Sequence, residues 1–365
     1  MAGSRLFTIA QKEFFDHVRS RKFLLIFGIL LVVAIVGMIG GITEYNKSLE
    51  DYNKDQSATS SDGSRYMPEK PSILGVFSSV ATYLVFVGGI LGIAMGFDLV
   101  SKEKESKSLK ILLSHPVYRD EVINGKALGG IIALGCALGV VLFIALATLL
   151  IYGIVPDGNE LVLIAVFGGV SFLLIFSYFA IALFMSTAMD ESGAALIYTI
   201  IIFIVLSVLM PTLANDTVME NVIGSQPELP RELLDQMQKP ANSTGSSAGR
   251  DTMNSQTNNN EAWNKFTGRM QAYWEKRQMI HDTLALFSPT MNYETITSSV
   301  TSQTSGSGMG GGPAIAVSSF NIGGSPPPGS EDVLGKIAAN CIALLLFPAV
   351  FFGLAYVRFM RLDVR

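Results

Sequence analysis

Charge is what this sequence has least of. Asp, Glu, Lys and Arg make up 15% of its 365 residues against 49% hydrophobic residues, well below the charged share of a soluble domain. Charged residues and histidine are absent altogether from six long runs: Phe23–Ile42, Ile73–Phe97, Ala127–Ile154, Leu161–Ser186, Gly193–Leu213 and Ile337–Val357. A hydrocarbon core of roughly 30 Å is crossed by about 20 helical residues, so each run is long enough to span a bilayer. Empty of ionisable groups, the runs argue against an ion or proton pump, whose relays need such groups at membrane depth. A net charge of −4 gives no basic field over the chain, which speaks against nucleic acid as a partner.

Catalytic signatures are missing as well. Gly125-Lys126 is followed by Ala127 and Gly335-Lys336 by Ile337, neither with the upstream glycine of a phosphate-binding G-x-x-x-x-G-K-[ST] loop, so the chain has no such device for ATP hydrolysis. No H-E-x-x-H or C-x-x-C occurs, and His17, His115 and His281 are scattered. Cys136 and Cys341 fall inside apolar runs and read as packing residues, as do the dispersed methionines. The expectation is a chain with no active site, no bound cofactor and no metal.

What is present is a topology. Arg5, Lys12, Arg19, Arg21 and Lys22 precede the first run; Lys102, Lys104, Lys107, Lys110, Arg119 and Lys126 lie between the second and third; Arg358, Arg361 and Arg365 close the chain. All three segments fall on one side of a six-span plan, and basic residues mark the cytoplasmic side. Both termini are therefore expected in the cytoplasm, in a multi-pass protein of the plasma membrane. The first run, though preceded by basic residues, is too long for a signal core and is expected to be retained.

The expected class is an all-α integral membrane protein: residues 1–22 an interfacial helix, 23–213 five spans with an external loop at 43–72 and a cytoplasmic loop at 98–126, 214–336 a large external insert, and 337–365 the last span and tail. Within the insert, Asn242–Asn260 and Thr297–Ser330 are rich in Ser, Asn, Gly and Pro and read as linkers. Between them Glu261–Leu286 carries Trp263, Phe266, Met270, Tyr273, Trp274 and Ile280 at helical spacing and is expected to lie on the membrane surface or a partner subunit. Asn46, Asn215 and Asn242 begin N-x-S/T triplets in external segments and are candidate glycan acceptors.

Two cytoplasmic segments carry more specific information. Leu6, Phe7, Ile9, Ala10, Phe14, Phe15 and Val18 recur at helical spacing opposite Gln11, Lys12, Asp16 and Arg19, the pattern of an amphipathic helix suited to a membrane surface. In the second, Leu109, Ile111, Leu112 and Leu113 cluster inside a charged loop that needs no apolar residues to be solvated. A helix offering an apolar patch to another protein does need them, and Pro116 would end it.

These residues resemble the membrane subunits of ABC-2 type ABC transporters. The family pattern places acidic residues after the second span, then a Ser-Leu or Thr-Leu pair, a Leu-Leu-Ser/Thr-x-Pro-Val/Ile stretch, a basic residue and a Gly-Lys. Here these are Glu103 and Glu105, Ser108-Leu109, Leu112-Leu113-Ser114-His115-Pro116-Val117, Arg119 and Gly125-Lys126. One departure is Ser106-Lys107, where a glycine is frequent in the family. Lys12-Glu13-Phe14 resembles its connecting helix, and Leu286-Phe287-Ser288-Pro289 the segment before its last span. The resemblance implies a half-transporter that pairs with a second copy or a related permease. A separate cytoplasmic P-loop ATPase, which would hold ATP and magnesium, would dock on Leu109–Pro116, with Glu103, Glu105 and Arg119 orienting the contact through charge pairs.

A multi-span anchor or scaffold for an external binding domain is the competing reading, but six spans exceed what an anchor needs and the apolar loop would go unexplained. An intramembrane enzyme or carrier would need polar groups at depth, where the spans offer only Ser, Thr and Tyr. With no charge in the spans, an apolar or amphipathic cargo, or force transmitted to an external protein, is favoured over a free ion. Lipid is the remaining partner.

Overall fold

The computed structural model describes residues 2–62, 71–108, 118–230, 251–303 and 330–362, and every regular element among them is helical. In chain order the helices are α1 (Ala2–Arg19), α2 (Arg21–Asp62), α3 (Gly75–Glu105), α4 (Arg119–Ile151), α5 (Gly158–Ala188), α6 (Ser192–Leu213), α7 (Asp216–Ile223), α8 (Asp251–Leu286), α9 (Pro289–Gln303) and α10 (Ser330–Met360). Six of them, α2 to α6 and α10, are long and apolar enough to cross a membrane. They coincide with the six expected runs.

α5 is the hub of the bundle, packed against α3, α4, α6, α9 and α10. Hydrophobic burial cannot drive helix association inside lipid, so spans rely on small residues that let backbones approach. Gly92 and Gly96 of α3 show this: a Cβ on Gly92 would stand 2.5 Å from Ile175 O, and one on Gly96 2.7 Å from Phe179 O. The outward faces of α2 and α6 remain apolar and exposed, with Leu25, Val32, Ile197 and Ile201 among them, as a lipid-facing wall requires.

α3 and α6 are not uniform. Each contains one π-helical turn, Leu84–Gly88 and Val205–Leu209, a local widening often found where a helix does something besides span. α3 also bends at its end near Val100, and there Ser186 Oγ of α5 accepts hydrogen bonds from both Val100 N and Ser101 N at 2.9 Å. Two amides loosened by the bend are thereby satisfied in a buried place.

Four expectations change. α2 does not stop at Ile42 but continues as helix to Asp62, so much of the 43–72 loop is an extension of the first span. The helix expected over Glu261–Leu286 begins at Asp251, inside the stretch read as a linker. The largest change is α9: Pro289–Gln303 was assigned to the external insert, with its last part to a low-complexity linker. Instead it packs against α3, α5 and α10, and Met291, Tyr293, Ile296, Thr297 and Val300 are buried. α8 correspondingly does not only lie outside; its final turns descend with α9 as a hairpin. Asn46 and Asn215 are exposed, and Asn242 lies outside the described residues.

A candidate coupling site at the end that holds the termini

The chain folds so that α1, the end of α3, the start of α4 and the α5–α6 turn meet at one end of the bundle. α1 forms because its apolar residues share a face, but that face is largely taken up by protein. Ala10 and Glu13 are buried against α4, while Phe7 and Phe15 remain exposed and available to lipid. The approach depends on Gly125 and Gly129, one turn apart on α4. A Cβ on Gly125 would meet Ile9 Cγ2 at 2.8 Å, and one on Gly129 would meet Ala10 O and Glu13 Cβ, both at 2.7 Å.

Between the helices sits a buried cation. Lys126 Nζ donates to Glu13 Oε1 of α1 at 2.8 Å and to Glu103 Oε1 of α3 at 2.7 Å, with the lysine side chain 3% exposed. One ammonium thus ties three helices together. Desolvating such charges is costly, and the arrangement holds because both carboxylates share the cation. His17, one turn beyond Glu13, is half-buried. Its Nε2 has no partner among the described residues, and burial pulls its pKa below the ordinary value, opposed by the nearby Glu13, Asp98 and Asp16 charges and reinforced by Lys126.

The last turn of α3 grips the α5–α6 turn with opposite charges. Lys104 Nζ donates to Thr187 O at 2.6 Å and Met189 O at 3.0 Å, at the C-terminal, electronegative end of α5. Glu105 Oε2 accepts from Ser192 N at 3.3 Å and Ser192 Oγ at 2.7 Å, at the electropositive start of α6. Each side chain is matched to the helix end whose unsatisfied groups it completes.

Lys107 then takes φ +58°, the left-handed conformation that glycine adopts most easily. This accounts for the departure noted in the sequence: the Ser106-Lys107 site where the family often carries glycine is the site that needs a positive φ. Ser108 is exposed, its hydroxyl 2.9 Å from Ser106 Oγ. Beyond it Leu109, Leu112, Leu113, Ser114, Pro116 and Val117 lie outside the described residues. On the other flank Arg119 Nη1 donates to Leu362 O at 2.7 Å and Met360 O at 3.3 Å, fastening the start of α4 to the end of α10.

The structure therefore brings Glu13, Glu103, Glu105 and Arg119 together around the two roots of the 109–117 segment. It engages them within the subunit, where the sequence reading had Glu103, Glu105 and Arg119 pairing with another protein. Lys12 stays exposed and Phe14 is half-buried, its ring 5.5 Å from that of Phe15. Sequence reasoning missed Lys104, Ser186 and His17. Glu13 carried a signal, since it falls beside Ile9, Ala10 and Phe14 on the apolar face of α1 and needs a buried partner there.

A family profile described as ABC-2 family transporter protein matches residues 7–364, nearly the whole chain. The chain belongs to the ABC-2 transporter family. It is also similar to the probable ABC transporter permease protein NosY of Pseudomonas aeruginosa, 27% identical over 193 residues, which is 52% of this chain and 62% of that relative. The match therefore spans less than two thirds of the relative's length. Within the ABC-2 plan, the Lys126 cluster, Lys104, Glu105 and Arg119 are the internal braces on either side of the loop between the second and third spans.

Proposed function

We propose that this chain is the permease subunit of an ABC transporter, which converts ATP hydrolysis by a separate cytoplasmic P-loop ATPase into export or mechanical work across the plasma membrane. Two copies, or this chain with a related permease, form the membrane unit, both termini in the cytoplasm. The ATPase holds ATP and magnesium and docks on Leu109–Pro116; this chain contributes no catalytic group. One observation carries the reading. The segment that would receive the ATPase is rooted in an end where a single buried lysine joins α1, α3 and α4.

In such a machine the loop takes the push and the braces pass it on. Lys126 moves α1, α3 and α4 as a body, Lys104 and Glu105 engage α5 and α6, and Arg119 engages α10. The test is co-purification of the tagged chain from its native membrane in mild detergent, followed by mass spectrometry. A stoichiometric P-loop ATPase is the expected companion, and Leu112→Asp with Leu113→Asp should abolish its recovery. If the ATPase is retained by that double variant, the docking segment is elsewhere. If none accompanies the intact wild-type complex, the anchor reading prevails.

A further inference from the structure

Pro211 stands inside α6. In a regular α-helix its ring would collide with the carbonyl four residues back, and its missing N–H would leave a carbonyl unserved. The π-helical turn Val205–Leu209 widens the helix just before the proline and relieves the collision. It leaves the second difficulty at Leu206. Met210 N, the α-helical donor for Leu206 O, goes to Val205 O instead, and Pro211, next in line, has no N–H to give. A buried carbonyl without a donor is costly. Ser288 Oγ, at the tip of the α8–α9 hairpin, supplies the bond and donates to Leu206 O at 2.7 Å.

Ser288 is fully buried, and the same hydroxyl accepts from Met291 N at 3.2 Å, which caps the start of α9. Asn292 Nδ2 donates to Ala285 O at 2.6 Å and to Ser288 O at 3.1 Å, bracing the turn between the two helices. Further attachments follow close by. Thr290 Oγ1 lies 2.7 Å from Tyr178 OH and 3.0 Å from Ser207 Oγ, and Tyr293 OH lies 3.0 Å from Ser171 Oγ. These bonds to α5 and α6 all fall between Ser288 and Tyr293. Toward the other end of α9, Ile296 and Val300 bury apolar side chains, while Thr295 and Thr297 return their hydroxyls to Met291 O and Tyr293 O. The hairpin meets α3 over Gly75–Tyr83 and α6 at its π-helical turn, away from the end that holds the termini.

We propose that the α8–α9 hairpin is a flap over the end of the bundle away from the termini, pinned at its tip by the carbonyl that Pro211 frees. It opens at its Val300 end and stays attached at Ser288. That end of the bundle can then widen while α6 keeps its register. The flap goes beyond the permease reading and does not depend on which ATPase or cargo the chain serves.

The probe is N-ethylmaleimide, which crosses membranes, and its reaction with single cysteines in the full complex in nanodiscs is followed by mass spectrometry. Met291→Cys, Ile296→Cys and Val300→Cys are each placed in a Cys136→Ala, Cys341→Ala background. The three positions are buried alike, at 3%, 1% and 6% exposed, so a rigid hairpin protects them equally. A flap pinned at its tip opens farthest from the pin, so Val300→Cys should react fastest and Met291→Cys slowest. Equal rates at the three positions, or fastest reaction at Met291→Cys, overturns the flap.

The pin is tested from both of its sides. Ser288→Ala should raise the Met291→Cys rate about fivefold, as for loss of one hydrogen bond, with Val300→Cys little changed, and Ser288→Thr should keep the protection. Pro211→Ala supplies an N–H that competes for Leu206 O and leaves the cap of α9 as it is, and it too should raise the Met291→Cys rate. Undiminished protection of Met291→Cys in Ser288→Ala and Pro211→Ala overturns the pin. A rise in Ser288→Ala alone would assign the effect to the helix cap and overturn the part given to Pro211.

Discussion

Two regions of α5 handle polarity in opposite ways. Where the termini gather, charged side chains are engaged within the subunit: Lys126 is buried between two glutamates, Lys104 and Glu105 bind two helix ends, and Arg119 binds two carbonyls. Along the α8–α9 hairpin the buried polar groups are neutral, hydroxyls and the Asn292 amide, and the ionisable Glu294 and Asp282 are left at the surface. A buried charge cluster fixes helices relative to one another because separating its members strands a charge. Hydroxyl pairs are weaker, averaging about 0.6 kcal/mol between membrane helices, and let a hairpin shift. The first design suits transmission and the second suits a surface that must accommodate something.

The comparison breaks most severely at Lys126. Lys126→Met leaves the buried Glu13 and the half-buried Glu103 without their cation and should cost about 3–5 kcal/mol, read as a collapse of the detergent-solubilised melting temperature. Adding Glu13→Gln and Glu103→Gln should restore much of it; no recovery would mean that the lysine acts otherwise than as their counter-charge. Gly129→Leu, which drives a side chain into Ala10 O and Glu13 Cβ, should cost about 1–3 kcal/mol and open α1 to limited proteolysis. Continued protection of α1 would show that the close approach is dispensable.

The hairpin should be more forgiving. Tyr178→Phe removes the hydroxyl shared by Ser207 and Thr290, which remain 3.0 Å from each other, so the loss should stay near 1 kcal/mol or below. A loss as large as that of Lys126→Met would erase the contrast drawn here. The mildest expected effect is one of pH. His17 is held neutral because burial lowers its pKa below that of the unfolded chain, so the unfolded state binds more protons and stability falls as pH drops through and below the ordinary histidine range. His17→Gln should flatten the dependence of the melting temperature on pH between about 7 and 5; an unchanged slope would assign it to other groups.

The spans were legible because lipid imposes a simple rule, about 20 residues without charge, and the sequence obeys it six times. α9 was not legible by that rule. Its segment PTMNYETITSSVTSQ is neither apolar nor uncharged, and it tolerates burial by returning hydroxyls to its own backbone: Thr295 to Met291 O, Thr297 to Tyr293 O and Ser299 to Thr295 O. Averages over a window miss that device. A local cue was present at Leu286-Phe287-Ser288-Pro289, where Ser288 Oγ accepts from Met291 N at 3.2 Å, a serine N-cap followed by proline at the first helical position. The extension of α2 beyond Ile42 left only a short trace, Tyr45, Leu49 and Tyr52 half-buried at helical spacing, among the exposed Asn46, Lys47 and Lys54.

The grip of α3 on the α5–α6 turn sets how motion would divide. Lys104 and Glu105 are neighbours in sequence, so their side chains leave the helix about 100° apart and reach the tail of one span and the head of the next. A rotation of that single turn cannot advance one of these spans while leaving the other behind. In a working permease the turn would act as a yoke, delivering one input as a paired stroke of α5 and α6.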